Sequence, residues 1–307
     1  MGVVFTASEF AGRARGGRVW VSVLAGLTLS ASLAATLRQV GYWRNSETLF
    51  RHAVAVTPGN FVAYNNLGDH LYLHGKTDEA MRCFREAVFW QPTYADAHCS
   101  LAISYQALRQ PAEARAEFQL ALRLDPKNAR NHYFWANQLL AAGENAGARK
   151  EYEQALALRP DYSEAHYQLA LLQLGQNEIA EGSRHLREAV ELRPDWLEAL
   201  NNLAWLLATQ PDARFRNGKD AVKFAAQAVA LTRTNSPGAL DTFAEALAEA
   251  GRIPEAIKTA RAGLILLPAA ATNELRREIE GHLQSYERGQ AIREPTDRVL
   301  KPPSRKS

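Results

Sequence analysis

The stretch FVAYNNLGDHLYLHGKTDEAMRCFREAVFWQPTY, Phe61–Tyr94, decides how the chain folds. Counted from Phe61 as position 1, it has small residues at positions 8 (Gly68), 20 (Ala80) and 27 (Ala87), a large one at 24 (Phe84), a glycine at 15 (Gly75) and a proline at 32 (Pro92). The arrangement returns every 34 residues, with Pro58, Pro92, Pro126, Pro160 and Pro194 evenly spaced. Position 8 becomes Ala102, Ala136, Ala170 and Ala204; position 20 becomes Ala114, Ala148 and Gly182; position 27 becomes Ala121, Ala155 and Ala189. Position 24 stays large as Phe118, Tyr152 and Leu186.

Each column has a physical reason. Residues three and four apart share a helical face, so positions 4, 7, 8 and 11 form one apolar stripe and positions 20, 24 and 27 another. Small side chains let two helices approach closely, and the large residue at 24 fills the space between them. Glycine near position 15 closes the first helix, and proline at 32 stops the second. The reading is a helical hairpin per unit over 61–94, 95–128, 129–162 and 163–196. A fifth unit, 197–236, carries about five extra residues around Pro211–Gly218 and puts Ala225 where a large side chain stands elsewhere. A sixth, 237–270, recovers Ala244, Gly251, Ala256, Ala260, Gly263 and Pro268. The more polar amphipathic segment 272–288 suits a helix that covers the last apolar face, as a stacked array requires. Residues 289–307 are charged and proline-bearing, which reads as a disordered tail.

The 34-residue pattern is identified as the tetratricopeptide repeat. The expected fold class is therefore all-α: an α-solenoid, a right-handed superhelix of helical hairpins, preceded by one transmembrane helix.

Counting back from Pro58 places Phe50 at position 24 and Ala53 at 27, so residues 42–58 read as the second helix of a partial repeat. The same count puts Leu33, Ala34, Leu37 and Gly41 where a first helix would need them, which makes an ordinary repeat helix one reading of that region. A membrane span is another: residues 19–37 carry no charge, close to the roughly 20 residues a bilayer requires. Trp20 and Tyr42-Trp43 suit its two interfaces. A cleaved leader ending at Ser32-Leu33-Ala34 is a third. The block RQVGYWRNSETLFRHAVAVTPGNFVAYNNLG, Arg38–Gly68, resembles the junction in bacterial polytopic membrane proteins where the last membrane helix runs into tetratricopeptide repeats. Those proteins are similar to the transmembrane-and-tetratricopeptide O-mannosyltransferases. The resemblance implies that residues 19–37 are a final span with the repeats on the non-cytoplasmic side; the departure from it is that this sequence offers one possible span, a single pass behind a short basic segment, 1–18. The acidic pair that carries that family's catalysis has no counterpart here, so transferase activity is not expected of these residues.

Charge narrows the partners. Of a net +3, the first eighteen residues contribute +2 and residues 289–307 contribute +3, leaving −2 for the body. A body of that balance has no basic stripe for nucleic acid. Two cysteines, Cys83 and Cys99, form no metal-binding pattern, and no phosphate loop, nucleophile elbow or HExxH motif occurs. His98, His132 and His166 recur 34 apart at packing position 4, which reads as core histidines, while His70 and His74 lack a third ligand. No catalytic, cofactor or metal residue is expected.

Function is expected on the concave face. Its residues are Asn65, Asp69 and Tyr72, then Ile103 and Gln106, Tyr133 and Asn137, Tyr167 and Leu171, Asn201 and Trp205, and Asp241 and Glu245. Amides that pair with backbone and aromatics that supply contact area suit a protein or extended peptide. Three functional readings follow: a membrane-anchored scaffold, the repeat portion of a membrane glycosyltransferase that presents acceptor proteins, and a soluble cytoplasmic adaptor if residues 27–40 are an ordinary repeat helix.

Overall fold

A computed structural model describes residues 17–267 and 274–294; the expectations for residues 1–16, 268–273 and 295–307 lie outside the described residues. Among the described residues every regular element is helical. The chain forms two compact units, divided after Pro126.

The first unit contains α1 (Gly17–Tyr42), α2 (Ser46–Val56), α3 (Phe61–Leu73), α4 (Thr77–Trp90), α5 (Ala95–Ala107) and α6 (Pro111–Leu124). Hairpins α3–α4 and α5–α6 stack in chain order on α2. The small-residue columns sit at the helix contacts: Ala80, Ala87, Ala102, Ala114 and Ala121 are fully buried, and so are the large fillers Phe84 and Phe118. Gly68 shows how close the approach is, because a Cβ added there would lie 2.4 Å from Phe84 Cε1. Asn45 and Asn60 cap α2 and α3 by accepting from the backbone N–H of Thr48 and Ala63.

α1 behaves differently from the other first helices. The repeat register would press Leu33 and Leu37 against α2, yet both are more than 60% exposed, and no described α1 side chain is buried. Its link to α2 is local: the Tyr42 and His52 rings stack at 3.6 Å, and the Thr48 hydroxyl donates to the Tyr42 carbonyl. The stretch Trp20–Tyr42 is long and apolar enough to cross a membrane.

The second unit contains α7 (Ala129–Ala141), α8 (Asn145–Leu158), α9 (Ser163–Gly175), α10 (Ile179–Leu192), α11 (Leu197–Thr209), α12 (Gly218–Leu231), α13 (Pro237–Glu249), α14 (Ile253–Ile265) and α15 (Glu274–Glu287). Its four hairpins stack sequentially and α15 packs on α14 and α13. Ala136, Ala148, Tyr152, Ala155, Ala170, Leu186, Ala189, Ala204, Ala221 and Ala228 are all fully buried, so the columns hold through the fifth hairpin. There Phe224 is buried beside Ala225 and joins the core that position 24 supplies elsewhere. The insertion forms a 3-10 turn, Ala213–Phe215, held by Arg216, whose guanidinium donates to the carbonyls of Gln210 and Pro211 and pairs with Glu249 at 2.9 Å.

Position 15 adopts left-handed backbone in five hairpins: Gly75, Arg109, Gly143, Asn177 and Gly251 have φ between 58° and 77°. The turn imposes the conformation whatever the residue, and glycine fits it at no steric cost.

The recurring histidines have partners, with His98 and His166 buried and His132 half-buried. His98 Nδ1 lies 2.6 Å from Glu117, and His132 Nδ1 lies 2.6 Å from Glu151. His166 meets His185 at 2.8 Å, ring nitrogen to ring nitrogen. Burial opposes charge on His98, but Glu117 and the Pro92 carbonyl outweigh it and raise its pKa. His185 moves the other way, down to about 4, through burial and then its neighbours Arg184 and His166.

Candidate functional site

The first helix of each hairpin carries the residues singled out for binding. In the first unit Asn65 is buried and donates from its amide to Asp69, which also accepts from the Ser100 hydroxyl of the next hairpin at 3.2 Å. Tyr72 is half-buried against the core of α3 and α4. Ile103 and Gln106 on α5 are half-buried too.

In the second unit the aromatics of the face are locked by neighbours. Tyr133 packs on Tyr162 at 4.9 Å, and Tyr167 on Trp196 at 4.5 Å. Tyr162 and Trp196 are the last residues of successive units, each covered by an arginine, Arg159 and Arg193. Tyr167 also accepts from the Asn202 amide at 2.9 Å, and burial first, then Glu198, pushes its pKa up to about 12. Asn137 accepts from the buried Tyr152 hydroxyl at 2.6 Å, which turns its amide toward its own hairpin. Leu171 and Asn201 are half-buried.

Trp205, Asp241 and Glu245 are buried, and what covers them is the chain itself. After α15 the residues Ala291–Glu294 cross in front of α13 and reach α11. The Glu294 backbone N–H donates to the Thr209 carbonyl at 3.0 Å. Its carboxylate accepts from the Trp205 indole N–H at 3.0 Å and faces His282 Nε2 at 3.1 Å. The other nitrogen of that imidazole faces Asp241 at 3.0 Å and Glu245 at 3.5 Å. Arg293 pairs with Glu249 at 2.7 Å, so Glu249 bridges Arg293 and Arg216. Ala291 and Ile292 rest on the apolar core under α15. Burial disfavours charge on His282, but Asp241 and Glu294 outweigh it and, with Glu245, lift its pKa to about 10. The imidazole is thus a cation at neutral pH, held between carboxylates on both sides.

The sequence reading found Trp205, Asp241 and Glu245 but not His282, Glu249, Arg293 or Glu294. Composition alone assigns residues 289–307 to a disordered tail, whereas residues 290–294 have defined partners through Glu294. One signal was available: Asp241 and Glu245 share a helical face four residues apart, among the apolar Leu240, Ala244 and Leu247 of α13. Burying two carboxylates there demands a cation from the element that covers them.

Comparison with known proteins bears on the repeats. Residues 95–128 match the family model described as tetratricopeptide repeat, and residues 136–177 match one described as TPR repeat. The chain carries tetratricopeptide repeats. Its fold resembles the structure solved under "Functional Characterization of Pseudomonas Aeruginosa pilF", with a TM-score of 0.60 and 21% identity, covering 72% of this chain and 96% of that one. It also resembles that of the APC/C hetero-tetramer Cut9-Hcn1, with a TM-score of 0.59 and 17% identity, covering 82% of this chain and 48% of that one. Among curated proteins, the chain is 39% identical over 72 residues to the protein O-mannosyl-transferase Tmtc2 of Drosophila melanogaster, covering 24% of this chain and 8% of that protein. It is 32% identical over 89 residues to the protein O-mannosyl-transferase TMTC3 of Mus musculus, covering 29% of this chain and 10% of that protein. The matches thus span about a tenth of the length of these curated relatives.

Proposed function

We propose that this chain of tetratricopeptide repeats is a non-catalytic, single-pass membrane scaffold that holds an extended segment of a partner protein along the concave face of the first helices of its second unit. One observation carries the binding half of this reading: Ala291–Glu294 lies across α13 and α11 with a backbone hydrogen bond and paired side chains, so the face can accept an extended chain. Tyr133 and Tyr167 offer aromatic area, already immobilised, on the same kind of helix. The anchor half is supported by α1, whose Trp20–Tyr42 stretch of 23 residues would extend ~35 Å at 1.5 Å per residue, enough for a ~30 Å hydrocarbon core. Exposed leucines along it at positions 24, 27, 29, 33 and 37 enter no core among the described residues, which suits lipid.

Two measurements test this. Alkaline extraction of membranes should leave the chain in the pellet, and its release into the supernatant would refute the anchor. Pull-down from membranes with the full chain should lose its partner on Tyr133→Ala with Tyr167→Ala, while unchanged recovery would remove the concave face from the account.

A second reading is favoured by the similarity to O-mannosyl-transferases. In it the repeats present acceptor proteins to a glycosyltransferase, and the same face would take the acceptor. Enhanced mannosylation of a bound protein when a transferase is supplied, abolished by the two tyrosine variants, would distinguish this from a scaffold with no role in glycosylation.

A further inference from the structure

We propose that the face made by α11, α13 and α15 is a receptor for an extended segment bearing a basic residue followed directly by a carboxylate, and that the chain's own Arg293–Glu294 occupies it in cis. This rests on the reading of the concave face as a segment-binding surface and names what one part of it recognises.

The receptor is assembled from three helices around one carboxylate. Trp205 on α11 and His282 on α15 aim N–H groups at separate oxygens of Glu294, 3.0 and 3.1 Å away. An indole can only donate, so Trp205 selects an acceptor. The imidazole is fixed as a donor on that side by Asp241 and Glu245, which take its other nitrogen. Those two carboxylates are each 2% exposed, and a buried ionic cluster seldom stabilises a fold more than apolar residues of similar volume would. Their effect is to keep a positive charge poised against an incoming acid.

The preceding residue meets the opposite chemistry. Arg293 contacts the Glu249 carboxylate at 2.7 Å and approaches the Ala208 carbonyl at 3.5 Å. Ala208 and Thr209 end α11, where the helix carries partial negative charge that favours a cation. Glu249 is itself oriented by Arg216 from the insertion, at 2.9 Å. The Thr209 carbonyl takes the backbone N–H between the two side chains. Backbone, base and acid are each read once, as in recognition of an extended peptide.

Cis occupancy sets the terms for a partner. Only Arg288–Gln290 separates α15 from the apolar contact at Ala291. A tether this short gives an effective concentration on the order of millimolar. A free segment with an intrinsic Kd of about 10 μM would therefore bind the intact chain roughly 100-fold more weakly than a chain whose site is vacated.

The test uses the full chain in detergent or nanodiscs and a fluorescent peptide of residues 288–296, followed by anisotropy. The variant Arg293→Ala with Glu294→Ala vacates the site, and it should bind the peptide at least tenfold more tightly than the native chain. A peptide with Gln in place of Glu294, or Trp205→Phe in the vacated protein, should lose at least tenfold. A second protein, with a flexible Gly-Ser insertion between Gly289 and Gln290, leaves every contact residue intact and should also bind the peptide more tightly than native. Equal binding to native and vacated chains, no binding to either, or indifference to the Glu294→Gln change in the peptide would overturn the proposal. If that happens while partner recovery still depends on Tyr133 and Tyr167, only this inference falls; if both fail, the concave-face reading falls with it.

Discussion

Gly68→Ala sets two known effects against each other, and the structure decides which wins. In a helix interior alanine is favoured over glycine by ~1 kcal/mol. At this site, however, the new methyl would lie 2.4, 2.7 and 2.9 Å from three ring atoms of Phe84, where carbon atoms prefer about 3.5–4.0 Å. Phe84 is 1% exposed and packed among Leu67, Leu71, Ala80, Met81 and Leu101, so its ring has no free volume to enter. Overpacking of this kind costs about 1–3 kcal/mol, which leaves a net loss of roughly 1 kcal/mol after the propensity gain. Two-state analysis suits a repeat array poorly, so the loss is best read locally. Hydrogen exchange of the α3 and α4 amides should quicken about fivefold, with little change in α8 or α10. Adding Phe84→Leu should restore protection, because it recreates the Ala170–Leu186 pair that the fourth hairpin already buries completely. If Gly68→Ala alone slows exchange in α3 and α4, the close approach is not what fixes glycine at this position, and the packing argument fails.

Other predictions follow from single residues. Arg109 holds left-handed backbone at φ 58° where three other hairpins use glycine, so Arg109→Gly should stabilise the α5–α6 turn by about 0.5–1 kcal/mol in thermal unfolding; a loss would mean the arginine side chain outweighs the strain. Asn131 is fully buried, its side-chain amide has no partner among the described residues, and the equivalent positions are Ala63, Ala97, Ala165, Ala199 and Ala239. Asn131→Ala should therefore raise the melting temperature, by ~1–2 kcal/mol of stability, and a drop would show that the amide is satisfied. His282, with its pKa raised to about 10, contributes stability that is complete below its unfolded value near 6.5 and is lost as pH rises through 10. Protection of α15 should fall between pH 7 and 10 by up to ~1.4 kcal/mol per unit and flatten in His282→Gln; a pH-independent native profile would contradict the charged pair network.

The fold was legible because one physical demand repeats. Two helices can close on each other only where side chains are small, and Ala80, Ala114, Ala148, Gly182 and their partners state that demand at fixed intervals. The left-handed turn was half-legible: Gly75 and Gly143 announce it, while Arg109 and Asn177 adopt it because the hairpin leaves no other path. The junction resisted for a different reason. Leu33, Ala34 and Leu37 satisfy the repeat register and a lipid-facing helix equally well, so the pattern of the sequence does not choose between them. The covered part of the candidate site was hidden because its partners are distant in sequence. Trp205 and Glu294 are 89 residues apart, and no local period connects them. Composition reports the charge of Arg293 and Glu294 but not the oppositely charged groups that await them on α13 and α15.

Site-directed photo-cross-linking tests the central claim most directly. A photoreactive residue in place of Tyr133 or Tyr167 sits on the first-helix surface proposed to hold the partner segment, whereas one in place of Glu153 sits on the exposed side of the second helix α8. In native membranes the first two should form adducts with a common protein and the third should form none. Adducts of equal yield from Glu153, or from that position alone, would contradict the account.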